Sequence, residues 1–311
     1  MKHIVVVGSL NMDFVVAVER LPAPGETVIG SDFQMHPGGK GANQACAAGK
    51  LGAGNVPTRM IGRVGYDVFG DSLKASLSAA GVDVSAVHGS RSAATGVALI
   101  PVEKSGQNSI VVASGANHAL AASEVEAMRS VIRGAGFVLF QLESPLETVT
   151  AAMKLAREEG ARTILDPAPA RPLDPKLLAM VDILTPNETE ASILTGLPPE
   201  RVSLENAPAL GRKLLDLGPK SVILKLGELG CYYFDGQTEL RSPAFPMEAR
   251  DTTAAGDTFN AALAVALTEG HALTDALRFA NAAAGISVTR VGAQASIPSR
   301  SEVDALLLRK S

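Results

Sequence analysis

An α/β fold on a mostly parallel sheet flanked by helices is predicted by three features of the 311-residue sequence. Apolar runs of strand length alternate with helical patterns over most of the chain. Two helix-free stretches of short strands interrupt that rhythm and call for a small sheet of their own. A chain of this length buries roughly 75% of its unfolded surface, so it needs no staples.

The strands of the main sheet are read at Ile4 to Val7, Thr58 to Ile61, Phe137 to Gln141, Thr163 to Leu165, Ile183 to Leu184 and Val222 to Leu224, each apolar and each beside a helical segment. Helices are read at Asn43 to Lys50, Val68 to Ala79, Glu124 to Ile132, Thr148 to Glu159, Glu205 to Leu215, Thr258 to Leu267, Ala276 to Val288 and Glu302 to Leu308. Ser123 with Glu126 predicts a capping box for the third. The small sheet is read from Asp13 to Val18 with Thr27 to Gly30, and from Thr95 to Val102 with Ser109 to Ala113, joined by turn-forming residues such as Pro22, Pro24 and Gly25. It belongs over the carboxyl ends of the parallel strands, where open α/β sheets bind ligands. Its apolar exposed face predicts a homodimer through that lid.

Cys46 and Cys231 are far apart and lie in no metal-binding spacing, and His3, His36, His88, His118 and His271 are scattered. The net charge of −4, without a dense cationic run, speaks against a nucleic-acid partner. Gly8, Asn11 and Asp13 break the first apolar run too early for a signal peptide, and no apolar stretch is long enough to span a bilayer. A cytoplasmic protein with no membrane partner is expected.

The stretch Asp251-Thr252-Thr253-Ala254-Ala255-Gly256-Asp257 carries the chemistry. A helix opening near Ala254 turns its unpaired N–H groups and positive dipole end toward whatever faces them, and small residues leave that backbone open to a phosphate. Asp257 then stands beside the same space as a base, a pairing suited to phosphoryl transfer to a hydroxyl. An Asp near a helix start is also a common stabilising choice.

Pro37-Gly38-Gly39-Lys40-Gly41-Ala42-Asn43 is a glycine-rich helix entry but not a Walker A loop, since Gly41 follows Lys40. Its glycines let backbone approach a small ligand, with Lys40 and Asn43 adding donors for sugar oxygens; a tight turn is the competing reading. Asn11 and Asp13 follow the first strand, where a carboxylate can accept from two neighbouring hydroxyls, and Glu143 follows the strand ending at Gln141. Asn187 with Glu190 is a capping box that can also reach a hydrated Mg²⁺. Lys225-Leu226-Gly227-Glu228-Leu229-Gly230 links two strands, either as a plain hairpin turn or lying along a nucleotide. Neither a G-x-G-x-x-G dinucleotide fingerprint nor a G-x-S-x-G elbow is present, which disfavours an oxidoreductase and a serine hydrolase.

With Gly38 to Asn43 near the start and Ala254-Ala255-Gly256-Asp257 near the end, the chain resembles the ribokinase-like carbohydrate kinase family, also called the PfkB family, over nearly its whole length. Gly8 to Asp13, Gln141 to Pro145, Asp166 to Ala170, Thr185 to Glu190 and Val288 to Gln294 strengthen the likeness and direct it to the ribose-phosphorylating branch. The resemblance implies one Rossmann-like α/β kinase domain over 1–311, with lid strands from about 13–36 and 95–114. It implies ATP-dependent phosphorylation of D-ribose at its 5-hydroxymethyl group, with Asp257 as base and Ala254, Ala255 and Gly256 forming the anion hollow. Sugar contacts carry over to Asn11, Met12, Asp13, Gly39, Lys40, Gly41, Ala42, Asn43, Glu143 and Asp257. ATP contacts carry over to Asn187, the Lys225 to Gly230 loop (Lys225, Leu226, Gly227, Glu228, Leu229, Gly230), Gly256 and Asn281. Mg²⁺ is implied at Asn187 and Glu190 through water, and K⁺ at the side chains of Asp251 and Ser296 and the carbonyls of Thr253, Ser287, Arg290 and Gly292. Lys225 stands where the family branch usually has Thr, and Asn281 where it usually has His. Rival expectations are a kinase for deoxyribose, a ketose, a sugar acid or adenosine, and a non-catalytic nucleotide or sugar sensor.

Overall fold

Residues 2–198 and 202–309 are described by the computed structural model, and the remaining positions of the expected 1–311 span lie outside the described residues. In chain order the strands are β1 (His3–Val7), β2 (Asn11–Val18), β3 (Asp32–Gly38), β4 (Thr58–Gly65), β5 (Val82–Ser90), β6 (Gly96–Glu103), β7 (Val111–Ala113), β8 (Ala135–Phe140), β9 (Arg162–Leu165), β10 (Ile183–Leu184), β11 (Val222–Lys225), β12 (Cys231–Phe234) and β13 (Glu239–Ser242). The helices are α1 (Lys40–Gly52), α2 (Val68–Ala79), α3 (Ala122–Ala127), α4 (Arg129–Ile132), α5 (Leu146–Glu158), α6 (Pro175–Leu178), α7 (Glu188–Thr195), α8 (Ala207–Asp216), α9 (Ala255–Glu269), α10 (Leu273–Ser287) and α11 (Arg300–Arg309).

The larger sheet has nine strands in the order β13-β12-β11-β10-β9-β8-β1-β4-β5. From β5 through β11 every pairing is parallel, and β12 and β13 extend the edge in antiparallel fashion. Strand periodicity divides β1 between two cores: Ile4 and Val6 pack with α1, α9 and α10 on one face, while Val5 and Val7 pack with α5 and α8 on the other. Both faces of the sheet are therefore covered, as its continuous apolar strands require.

The second sheet has four strands in the order β3-β2-β6-β7. Asn11 and Gly38 are partners at its root, where β2 leaves β1 and β3 hands over to α1. Thr27 to Gly30, expected as a strand, is not one; pairing begins instead with the Ser31 N–H donating to the Ala17 carbonyl at 2.9 Å and continues along β3. The alternating Asp32-Phe33-Gln34-Met35-His36 run is the strand, half polar because its two faces have different surroundings.

Two further differences have local causes. The helix expected over Glu124 to Ile132 is broken at Met128 (φ −90°, ψ 20°) into α3 and α4. Because α3 starts at Ala122, the reach-back is made by Glu124 Oε2 to the Ala121 N–H at 2.9 Å, and not by the Ser123–Glu126 pair. Strands β5 and β13 and the single turn α6 were not read from the sequence; β5 mixes exposed polar positions into its apolar run, and α6 is too short to show a period.

The glycine-rich entry to α1 is a packing device. A Cβ at Gly41 would lie 2.5 Å from Ser9 N and 2.6 Å from Gly8 C, and one at Gly39 (φ +86°) would lie 2.7 Å from Asn11 N. These glycines admit the β1–β2 connection against the helix, a packing demand that adds to the expected reason for them, and Gly39 borders the cavity as well. Gly41→Ala should destabilise the protein by about 1–3 kcal/mol through this backbone clash, read as a lower urea midpoint with an unchanged m-value.

Candidate active site

A cavity of about 1450 Å³ lies at the carboxyl ends of the parallel strands, walled on one side by the small sheet through Asp13, His36 and Ala98. Three helices bring their N-termini to it; Asn187 caps that of α7, and those of α1 and α9 are finished differently. In α1 the Lys40 N–H donates to Glu143 Oε2 at 3.1 Å, the Gly41 N–H to Ser9 Oγ at 3.3 Å and the Ala42 N–H to the Ser9 carbonyl at 2.8 Å. Protein groups already fill that end. In α9 the N-cap is Ala254, which has no side-chain oxygen and sits in the left-handed region at φ +60°.

Of the donors expected at α9, the Ala255 N–H is taken by the Thr252 carbonyl at 3.2 Å. Among the described residues the N–H groups of Ala254, Gly256 and Asp257 donate to no backbone carbonyl. An open helix N-terminus attracts anions through both its free donors and its dipole. The Lys225 Nζ reinforces it, lying 3.2 Å from where a Cβ on Gly256 would be. Lys225 is itself held by Asp166 Oδ1 at 2.9 Å.

Asp257, in the first turn of α9, is 5% exposed. Its Oδ2 accepts from Asn43 Nδ2 at 3.1 Å and its Oδ1 from Gln44 Nε2 at 3.0 Å. Burial, partly offset by Lys40 and reinforced by Asp166, raises its pKa to about 6. Asn43 Oδ1 is buried without a hydrogen-bond partner, an acceptor left available beside this carboxylate.

The expected sugar-binding residues separate into two groups. Asn11, Asp13, Gly39, Lys40, Asn43 and Glu143 line the cavity together with Asp257. Met12, Gly41 and Ala42 do not: Met12 is on the opposite face of β2, and the other two pack into the start of α1. Burial opposes the charge on Lys40, but Asp257, Asp166, Glu143 and Glu190 hold it firmly protonated. Asp13 bends over Gly38, where a Cβ would be 2.0 Å from its Oδ2; burial, then Glu143 and Asp257, push its pKa up to about 7. Glu143 also accepts from Ser9 Oγ at 2.5 Å, and Asn11 Oδ1 accepts from Asn117 Nδ2 at 2.7 Å.

Of the expected nucleotide contacts, Asn187, Lys225, Gly227, Glu228, Leu229, Gly230, Gly256 and Asn281 line the cavity, whereas Leu226 is buried behind it. The hairpin reading of Lys225 to Gly230 holds, with β11 and β12 antiparallel around it. Asn281 Nδ2 donates to the Ser242 carbonyl at 2.9 Å and to Ser242 Oγ at 3.0 Å, fixing the loop that forms this wall. Asn187 and Glu190 form the expected capping box, through bonds of 2.8 and 2.9 Å that engage both Glu190 oxygens. Both residues still border the cavity, a geometry that suits Mg²⁺ held through water.

The residues expected around K⁺ fall in two adjoining loops. Asp251 Oδ1 accepts from the Thr253 N–H at 2.9 Å and Oδ2 from the Gly292 N–H at 2.8 Å, tying the entry of α9 to the exit of α10. Burial opposes ionisation of Asp251, but these bonds hold its pKa below the usual value. The carbonyls of Thr253, Arg290 and Gly292 accept no backbone hydrogen bond among the described residues, whereas that of Ser287 accepts from Arg290 at 3.1 Å and Ser296 Oγ donates to Ala293 at 2.8 Å. One carboxylate with open carbonyls is a donor set that fits a monovalent cation.

Gln44, Asp166, Ser9, Asn117 and Gln141 complete the hydrogen-bonded frame and were missed as site residues. Asp166 alone gave a signal, following the strand at Thr163 to Leu165 at its carboxyl end.

The model of the pfkB family carbohydrate kinases matches residues 1–300. A protein of Haemophilus influenzae called ribokinase is 42% identical over 97% of this chain and 97% of its own length. One of Bacillus subtilis with the same name is 43% identical over 99% of this chain and 100% of its own. The structure of Arabidopsis thaliana ribokinase complexed with ribose and ATP superimposes with a TM-score of 0.91 at 39% identity, covering 99% of each chain.

Asp13 has a consequence for stability. Its folded pKa of about 7 lies above the ordinary value of 3.8, so the fold holds a proton that the unfolded chain has lost, and stability falls as pH rises from 3.8 through about 7. Asp13→Asn should raise Tm more at pH 8 than at pH 5, by about 2–4 °C, in paired thermal melts.

Proposed function

The chain belongs to the pfkB family of carbohydrate kinases, and within it we propose that the protein transfers the γ-phosphoryl group of ATP to the 5-hydroxyl of D-ribose, giving D-ribose 5-phosphate and ADP. The observation that carries this reading is the buried Asp257 carboxylate beside the open N-terminus of α9. The relatives named ribokinase, and the one bound to ribose and ATP, support the choice of substrates.

In this reading Asp257 accepts the proton of the 5-hydroxyl as its oxygen attacks the γ-phosphorus. The free N–H groups of Ala254, Gly256 and Asp257, with Lys225 beside them, offset the charge on the transferring group, and they are oriented before the reaction begins. Asn43 and Lys40 offer donors, and Asp13 and Glu143 acceptors, to the ring hydroxyls. Asp13 favours a sugar with adjacent hydroxyls, which argues for ribose over deoxyribose. When bound, Mg²⁺ near Asn187 and Glu190 would neutralise phosphate charge, and K⁺ at the Asp251 and Gly292 loops would stiffen the segment that presents the anion hollow.

The small sheet serves as a lid that excludes water from this chemistry in a single 1–311 kinase domain. Its outer face carries Phe33, Met35, Leu99 and Val111, each more than half exposed at 52–60%, which supports a homodimer formed through it. Among the described residues no helix is long and apolar enough to cross a membrane, in keeping with work in the cytoplasm.

Asp257→Asn should lower kcat by about 10²–10⁴-fold while leaving ATP affinity by calorimetry intact. ADP release measured across ribose, deoxyribose, fructose, a sugar acid and adenosine should single out ribose and rise with K⁺. An equal response to deoxyribose would overturn the assignment of Asp13, and a flat K⁺ series that of the Asp251 loop.

A further inference from the structure

Gln44 is wholly buried and does not line the cavity, yet it touches the carboxylate on which the proposed chemistry depends. Its one NH₂ group serves two buried acids, donating to Asp257 Oδ1 at 3.0 Å and to Asp166 Oδ2 at 3.1 Å. Its carbonyl accepts from Gln141 Nε2 at 2.7 Å, and Gln141 is as deeply buried. An amide has a donor end and an acceptor end, so the Gln141 bond decides which end of Gln44 faces the acids. The other oxygen of Asp166 holds Lys225 at 2.9 Å, beside the anion hollow.

The geometry points to Gln44 as a positioning residue that keeps the base ionised and aligned, and that joins it through Asp166 to the cation at the phosphate hollow. This rests on the reading of Asp257 as base. Two carboxylates that approach each other without a donor between them cannot both stay ionised, and one of them retains a proton. Gln44 supplies that donor without adding charge. The same unit links the two halves of the reaction: a phosphoryl group entering the hollow competes with Asp166 for Lys225, and any change at Asp166 reaches Asp257 through one shared amide.

The groups that face Asp257 are Lys40, Asn43 and Gln44 on α1, Asp166 after β9 and Asp13 on β2, with Glu143 after β8, Lys225 on β11 and Glu190 on α7 acting at the margin through Asp13, Lys40 and Asp166. Lys40 opposes protonation, while Asp166 and Asp13 favour it. Loss of the Gln44 donor therefore tips the balance toward protonation.

The test is the pH profile of kcat for Gln44→Leu, Gln141→Leu and Asp257→Asn beside the unaltered enzyme. Gln44→Leu should move the acid limb up by about one pH unit, lowering kcat about fivefold at pH 6 with recovery by pH 9, and leaving KM for both substrates within about threefold. Gln141→Leu, which frees the amide to turn over, should move the limb the same way by less, and it carries the test if Gln44→Leu fails to fold. A loss of kcat equal at every pH in the folded variants, or a change confined to KM, would overturn the proposal. Asp257→Asn separates the two levels of inference. If it keeps activity, the base assignment itself fails; if it is inactive at all pH values while the Gln44 and Gln141 profiles stay parallel to the unaltered one, only the positioning role fails.

Discussion

The close crossing of α1 and α9 over the end of β1 is the contact on which the site depends. It brings Asn43 and Gln44, in the first turn of one helix, onto the carboxylate of Asp257, in the first turn of the other, across more than two hundred residues of sequence. Gly8 and Gly41 meet without side chains and seat α1 on the end of β1, and α9, rich in alanine, packs against α1. Small residues set the interaxial distance, and that distance sets the hydrogen bonds.

Electrostatics then distinguish regions that would otherwise look alike. Each helix N-terminus at the cavity offers free donors in principle, but Glu143 and Ser9 complete α1, Asn187 caps α7, and Ala254 cannot complete α9. The acids are similarly uneven. Asp257 and Asp13 have raised pKa values in a crowded, desolvated group, whereas Asp251 is lowered by backbone donors. Lys40 lies between the acids and limits their mutual repulsion. Such a gathering of like charge weakens a fold, and it is maintained here by the surrounding cores of the nine-stranded sheet.

Features set by local chemistry were legible in the sequence. The start of α9, the Asn187–Glu190 box, the bounds of α2 and the first strand each follow from neighbouring residues. The half-polar β3 was misplaced because its alternation reflects a cavity on one side, which no single-strand pattern announces. The packing role of the glycines was not read because a ligand and a crossing backbone make the same demand on sequence. Gln44 and Asp166 escaped notice as a pair because 122 residues separate them, and Lys225 is another 59 away from Asp166. Their relation exists only after the sheet has ordered its strands.

The root of the small sheet has a mechanical consequence. Strands β2 and β3 begin and end at the paired Asn11 and Gly38 and run out along the cavity wall, through Asp13, Val15, Ala17 and Gln34, to Val18 and Asp32. At about 3.3 Å per residue this is an arm of roughly 20 Å or more with its root beside the cavity-lining Asn11, Gly39 and Lys40. A swing of several ångströms at the tip translates into well under one ångström at the root. Were the sheet to move as a lid, its far end would open to admit a molecule while Asn11, Gly39 and Lys40 barely changed their bearing, so access and alignment would be geared at different ratios by one hairpin.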